Sequence, residues 1–106
     1  MKHALVTGGS RGIGRAVSIK LAEMGYYILL NYQSDDVEAN TTLQLIRDKG
    51  SDGELMKFDV TDKKAVSEIL SGWMQAHPDT YIEVLVNNAG IRKDNLMLWM
   101  QYDEWY

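Results

Sequence analysis

The 106-residue chain predicts an α/β fold in which helices cover both faces of a parallel sheet, and three features carry that expectation. Four short apolar runs alternate with three helical segments in the order βαβαβαβ. The apolar runs are continuous rather than alternating, as in strands buried on both sides. The first run, Ala4-Leu5-Val6, passes through clustered glycines straight into an amphipathic helix.

That junction is Thr7-Gly8-Gly9-Ser10-Arg11-Gly12-Ile13-Gly14. A helix start leaves backbone N–H groups without intrahelical partners, with the positive end of the helix dipole behind them, which suits a phosphate. Gly8 is expected to make the tight turn, Gly12 to admit a pyrophosphate close to the backbone, and Gly14 to let the helix pack on the strand. The spacing is Gly-x-x-x-Gly-x-Gly, distinct from the commoner Gly-x-Gly-x-x-Gly. Setting Gly9 and Gly14 as the glycines of an NTPase loop leaves Arg15 and Ala16 where Lys and Ser/Thr are required, so that reading fails.

The spacing of apolar residues predicts a first helix over 12–24, with Ile13, Val17, Leu21 and Met24 on its inner face and Gly25 ending it. Residues 27–32 read as a strand. Asp35, with Glu38 three residues on, makes a capping-box-like start to a second helix reaching about Lys49. Its expected inward residues are Val37, Thr41, Leu45 and Ile46. After the Ser51-Asp52-Gly53 turn, residues 54–58 form a third strand ending at Asp59-Val60. Asp62 is the expected N-cap of a third helix, with Val66, Ile69, Leu70 and Trp73 on its face and Pro78 closing it. Gly72 weakens this helix by about 1 kcal/mol relative to alanine. Residues 81–86 form the fourth strand, stopping at Asn87-Asn88-Ala89-Gly90.

Right-handed crossovers restrict how these strands assemble. With the first strand central, the order 3-2-1-4 puts two helices on one face and the third on the other, and opens a crevice between strands 1 and 4. The glycine turn and Asn-Asn-Ala-Gly both fall at that crevice.

Composition narrows the function classes. A net charge of -4 and no basic run longer than Lys63-Lys64 or Arg92-Lys93 argue against a nucleic-acid partner. With no cysteine and two histidines, no disulfide, thiolate nucleophile or metal site is expected. The opening apolar run is too short for a signal peptide or membrane span, so the cytoplasm is the expected location and no membrane partner is proposed.

Together these residues resemble the short-chain dehydrogenase/reductase family. Thr7-Gly8-x-x-x-Gly12-x-Gly14 resembles its cofactor motif, Asp59-Val60 its adenine-contacting pair, and Asn87-Asn88-Ala89-Gly90 its fourth-strand motif. Within the family, the glycine stretch, Asp59-Val60-Thr61-Asp62 and Gly90-Ile91-Arg92-Lys93-Asp94-Asn95-Leu96 are most similar to the 3-oxoacyl-(acyl-carrier-protein) reductases of bacterial fatty-acid synthesis. The resemblance implies a Rossmann-type sheet, a nicotinamide cofactor, and reduction of an acyl-carrier-protein-bound 3-oxoacyl thioester to the 3-hydroxyacyl product.

Roles follow residue by residue. Gly8, Ser10, Arg11, Gly12, Ile13 and Gly14 would line the pyrophosphate and adenosine ribose. Asp59 would accept the adenine amino group beside the Val60 backbone. Asn88, Ala89 and Gly90 would pass beneath the ribose nearest the nicotinamide. Asn87 reads instead as a sheet-end amide serving local groups. Cofactor choice turns on the end of the second strand, where an acid would bind the adenosine ribose hydroxyls and repel a 2′-phosphate. That place holds Asn31-Tyr32-Gln33, with Asn31 taken as a cofactor residue. Asp35 and Asp36 are better explained by the helix start, and Arg11 has the planar fork that suits a 2′-phosphate. NADP is therefore favoured over NAD.

The family's proton donor is a Tyr whose pKa is lowered by a Lys four residues on, with a Ser and an Asn completing the relay. No Tyr-x-x-x-Lys occurs in these residues, so no catalytic residue is assigned. The chain is expected to be the N-terminal part, 1–106, of a single dinucleotide-binding domain whose catalytic half is absent, a fragment inactive alone. Residues 95–106 start like a further helix rich in apolar side chains. With the open edge of strand 4, they predict self-association.

Overall fold

The computed structural model describes residues 2–10 and 12–88. Seven elements follow in order: β1 (His3–Thr7), α1 (Gly12–Glu23), β2 (Tyr27–Tyr32), α2 (Asp36–Asp48), β3 (Gly53–Lys57), α3 (Lys63–Ala76) and β4 (Ile82–Asn87). The four strands form one parallel sheet in the order β3-β2-β1-β4, as expected. Leu5 pairs with Leu29 on one side and Leu85 on the other, which makes β1 a central strand. This is a Rossmann-like arrangement, incomplete as described.

The period of two along each strand sorts the core into two layers. Leu5, Leu29, Met56 and Leu85 pack with Leu70 and Trp73 of α3. Ala4, Val6, Ile28 and Leu30 face the opposite way, against Ala22 of α1 and Ile46 of α2. Burying a Leu or Ile side chain this fully stabilises by about 1.5–3 kcal/mol, so both faces of β1 and β2 contribute.

Local signals hold at the helix ends. The Asp35 carboxylate accepts the Glu38 N–H at 3.1 Å, and that of Asp62 accepts the Ala65 N–H at 3.1 Å. Gly25 follows α1 with a φ of 97°, a left-handed value that glycine adopts without strain. His77 caps α3 and sets Nδ1 2.8 Å from the Trp73 carbonyl.

The inner faces of two helices differ from expectation. In α1 the buried residues are Gly14, Ser18 and Ala22, whereas Ile13 is 74% and Met24 58% exposed. Small side chains at a spacing of four bring this helix close to the sheet, and apolar bulk does not mark such a face. In α2, Ala39, Thr42, Leu43 and Ile46 are buried. Val37 is 74% exposed and Thr41 is also exposed, its hydroxyl donating to the Val37 carbonyl. The buried stripe is rotated by about one residue from the expected one, with Ile46 common to both.

Candidate functional site

The turn after β1 and the residue that follows β4 meet at the same end of the sheet. Thr7 pairs in register with Asn87. The Asn88 backbone N–H donates to the Thr7 hydroxyl at 2.8 Å, and the Asn88 side-chain amide donates to the Gly8 carbonyl at 3.1 Å. The Asn87 side-chain oxygen lies 3.1 Å from the Thr7 hydroxyl, so this residue ties the two strand ends together.

The glycine turn is held from below by β2. Gly8 has a φ of 63° and Gly12 one of 64°. The Gly8 N–H donates to the Asn31 side-chain oxygen at 3.2 Å, and the Gly9 N–H to the Asn31 backbone carbonyl at 2.9 Å. The Asn31 amide nitrogen donates to the carbonyls of Met56 at 3.1 Å and Phe58 at 3.0 Å. Asn31 is 1% exposed. Its carboxamide braces the turn from within, and the residue also lines the cavity beside it. The amides that remain for an anion are those of the first turn of α1, which helix geometry leaves without intrahelical partners.

Two glycines are required for different reasons. A Cβ at Gly14 would lie 2.1 Å from the Gly8 carbonyl oxygen, so the close approach of α1 to the turn excludes any side chain there. A Cβ at Gly9 would meet Leu30 at 2.3 Å, a packing role that spacing alone does not disclose. Around Gly12, by contrast, an added Cβ would meet nothing within 4 Å. The exposed Ile13 stands next to that open backbone.

A cavity of about 200 Å³ runs from the glycine turn across the ends of β2 and β3, lined by Gly8, Ser10, Asn31, Gln33, Phe58 and Val60 among others. Between the lining residues Phe58 and Val60 in sequence, one oxygen of Asp59 accepts the Thr61 N–H at 2.9 Å and the Thr61 hydroxyl at 2.7 Å. These bonds hold the Asp59 carboxyl below its ordinary pKa. Its other oxygen accepts from the Gln33 side chain at 3.4 Å. Nearby, the Tyr32 hydroxyl donates to Asp36 at 2.7 Å and Lys57 pairs with the same carboxylate at 3.3 Å. The Tyr32 bond, then Lys57, lowers the Asp36 pKa.

In the sequence Arg15 stands only where an NTPase loop would need Lys. Its guanidinium reaches the Ser10 carbonyl, Thr42 and Glu38, and so joins the turn to α2. A signal existed: Glu38 and Thr42 are four apart, on one face of a helix that lies beside α1. Arg11, Ala89 and Gly90 lie outside the described residues, as does the predicted helix over 95–106.

A family model described as short chain dehydrogenase matches residues 2–106. The chain belongs to the short-chain dehydrogenase family. Among curated relatives, it is 40% identical over 108 residues to the 3-oxoacyl-(acyl-carrier-protein) reductase FabG of Staphylococcus aureus, covering 98% of this chain and 42% of that protein. The FabG of Haemophilus influenzae is 36% identical over 105 residues, covering 99% and 41%. The chain therefore spans about two fifths of the length of these relatives.

Solved structures agree with the fold. A metagenomic short-chain oxidoreductase in complex with NADP matches with a TM-score of 0.76 at 33% identity, over 85% of this chain and 39% of that one. An NADH-dependent reductase complexed with NAD matches at 0.73 and 33%, over 85% and 36%. Solved structures similar to this chain thus include complexes with either form of the cofactor.

Proposed function

We propose that the protein to which these residues belong uses NADPH to reduce a 3-oxoacyl thioester, carried on acyl carrier protein, to the 3-hydroxyacyl product. These 106 residues would supply the cofactor cradle. The observation that carries this reading is the meeting of Asn88 with Gly8, which sets the end of β4 against a glycine turn with open backbone at Gly12. Resemblance to FabG proteins supports the substrate class.

The residues fit the dinucleotide. The first-turn amides of α1 and the open space at Gly12 suit a diphosphate, and the cavity bounded by Val60 and Phe58 suits a flat ring. Gly8, Ser10, Gly12, Ile13 and Gly14 would hold the diphosphate side with Arg11, and Asp59 and Val60 the adenine. Asn88, Ala89 and Gly90 would lie under the nicotinamide ribose. Bound there, the cofactor supplies a hydride, and the protein's part is to position it against the carbonyl.

NADP is favoured over NAD because both acids after β2 already hold partners, even though Asp35 also lines the cavity. Asp35 caps α2, and Asp36 is held by Tyr32 and Lys57. Fluorescence titration is expected to show tighter NADPH than NADH binding, and Arg11→Ala to weaken NADPH more than NADH. An equal loss for both overturns the cofactor assignment. Turnover of a 3-oxoacyl thioester, compared with sugar and steroid carbonyls, tests the substrate class.

A second reading has one observation behind it: no Tyr-x-x-x-Lys occurs in the 106 residues. On that reading these residues alone bind nucleotide without turnover. Thioester reduction by the 106-residue chain itself would overturn it.

A further inference from the structure

We propose that Arg15 is a positioning residue for the diphosphate, acting on the carbonyl of Ser10 both directly and through Thr42; this rests on the dinucleotide reading above. Arginine carries donors and no acceptor, which sets the direction of every bond in the cluster. Arg15 Nε donates to the Thr42 hydroxyl at 2.8 Å. The single hydroxyl hydrogen of Thr42 must then go to a carbonyl. Ser10 at 2.6 Å is the near one, and the Glu38 carbonyl at 3.1 Å the far one. Arg15 Nη2 donates to the same Ser10 carbonyl at 2.8 Å, and it also contacts the backbone and carboxylate of Glu38.

The Ser10 carbonyl thus accepts from two donors whose own places are set by α1 and α2. A carbonyl oxygen in a glycine turn is the group that would repel a phosphate if the peptide rotated. Glycines give this turn little resistance to rotation, so a fixed acceptor at Ser10 holds it in the form that takes an anion. Thr42 is fully buried and the Arg15–Glu38 pair only partly exposed, so water competes weakly for these bonds. Asp35, whose carboxylate caps the Glu38 N–H, lines the same cavity as Ser10. One cluster therefore connects the turn with the segment that follows β2.

The test separates positioning from simple stability by comparing ADP, which has the diphosphate, with adenosine, which lacks it. Arg15→Met and Thr42→Val are expected to weaken ADP about tenfold or more, the scale of losing a charge-assisted bond, while adenosine affinity in NMR titrations is unchanged. Thr42→Ser keeps the hydroxyl and is expected to restore ADP binding, and this Val/Ser pair decides the matter if Arg15→Met does not fold. Unchanged ADP affinity in folded variants, or equal losses for ADP and adenosine, overturns the positioning role while leaving the dinucleotide reading in place. Failure of the unaltered chain to bind ADP, NADPH or NADH overturns both.

Discussion

The side-chain oxygen of Asn31 accepts the Gly8 amide at 3.2 Å, while the nitrogen of the same carboxamide donates to Met56 and Phe58. One buried side chain thus links the glycine turn to the end of β3 across β2. Asn31→Leu leaves the Gly8 N–H and two carbonyls to find other partners, and each unsatisfied buried group costs about 1–3 kcal/mol. Urea denaturation is expected to show a loss of about 3 kcal/mol or more. Asn31→Asp is expected to be worse near neutral pH, because its oxygens would face the two carbonyls. The variant should recover part of its stability as pH falls and the buried carboxyl protonates. Wild-type stability in Asn31→Leu counts against the brace.

The same substitution should have opposite signs at two glycines. At Gly14 a Cβ would lie 2.1 Å from backbone at Gly8, so Gly14→Ala is expected to destabilise by about 3 kcal/mol. At Gly72, inside α3, an added Cβ would meet nothing within 4 Å, and Gly72→Ala is expected to stabilise by about 1 kcal/mol. Thermal melts of the two variants read the difference directly. A neutral Gly14→Ala would mean that α1 stands farther from the turn.

The Tyr32–Asp36 bond predicts a two-sided pH dependence. The bond with Tyr32 lowers the Asp36 pKa below its ordinary 3.8 in the folded state, so its stabilisation is present above that value and is lost as pH falls through the folded pKa. The same bond raises the Tyr32 pKa above 10.0, so that contribution is present below this value and is lost as pH rises through the folded pKa. The stability difference between wild type and Tyr32→Phe should be flat at intermediate pH and shrink at both extremes. A difference that does not change with pH removes the bond from the account.

β4 pairs only with β1 among the described residues, which leaves its other edge open. An open edge presents N–H and C=O groups to a second chain. Sedimentation velocity of the 106-residue chain is expected to show heavier species as concentration rises. A single monomeric boundary at high concentration would count against pairing at this edge.

Element order, strand pairing and the meeting of the turn after β1 with the end of β4 were legible in the sequence. They depend on signals that act locally or topologically: continuous apolar runs, Asp35 and Asp62 as caps, glycines at the turn, and the handedness of crossovers. The inner faces of α1 and α2 were not legible. Hydrophobic periodicity weighs bulk, whereas Gly14, Ser18 and Ala22 are buried because they are small, and Thr42 because its hydroxyl bonds Ser10. The bonding partners of Asn31 and Arg15 were decided by tertiary structure alone. A carboxamide on a strand or a guanidinium on a helix does not announce its partners, and only the arrival of β3 and α2 supplied the groups that these two side chains bond.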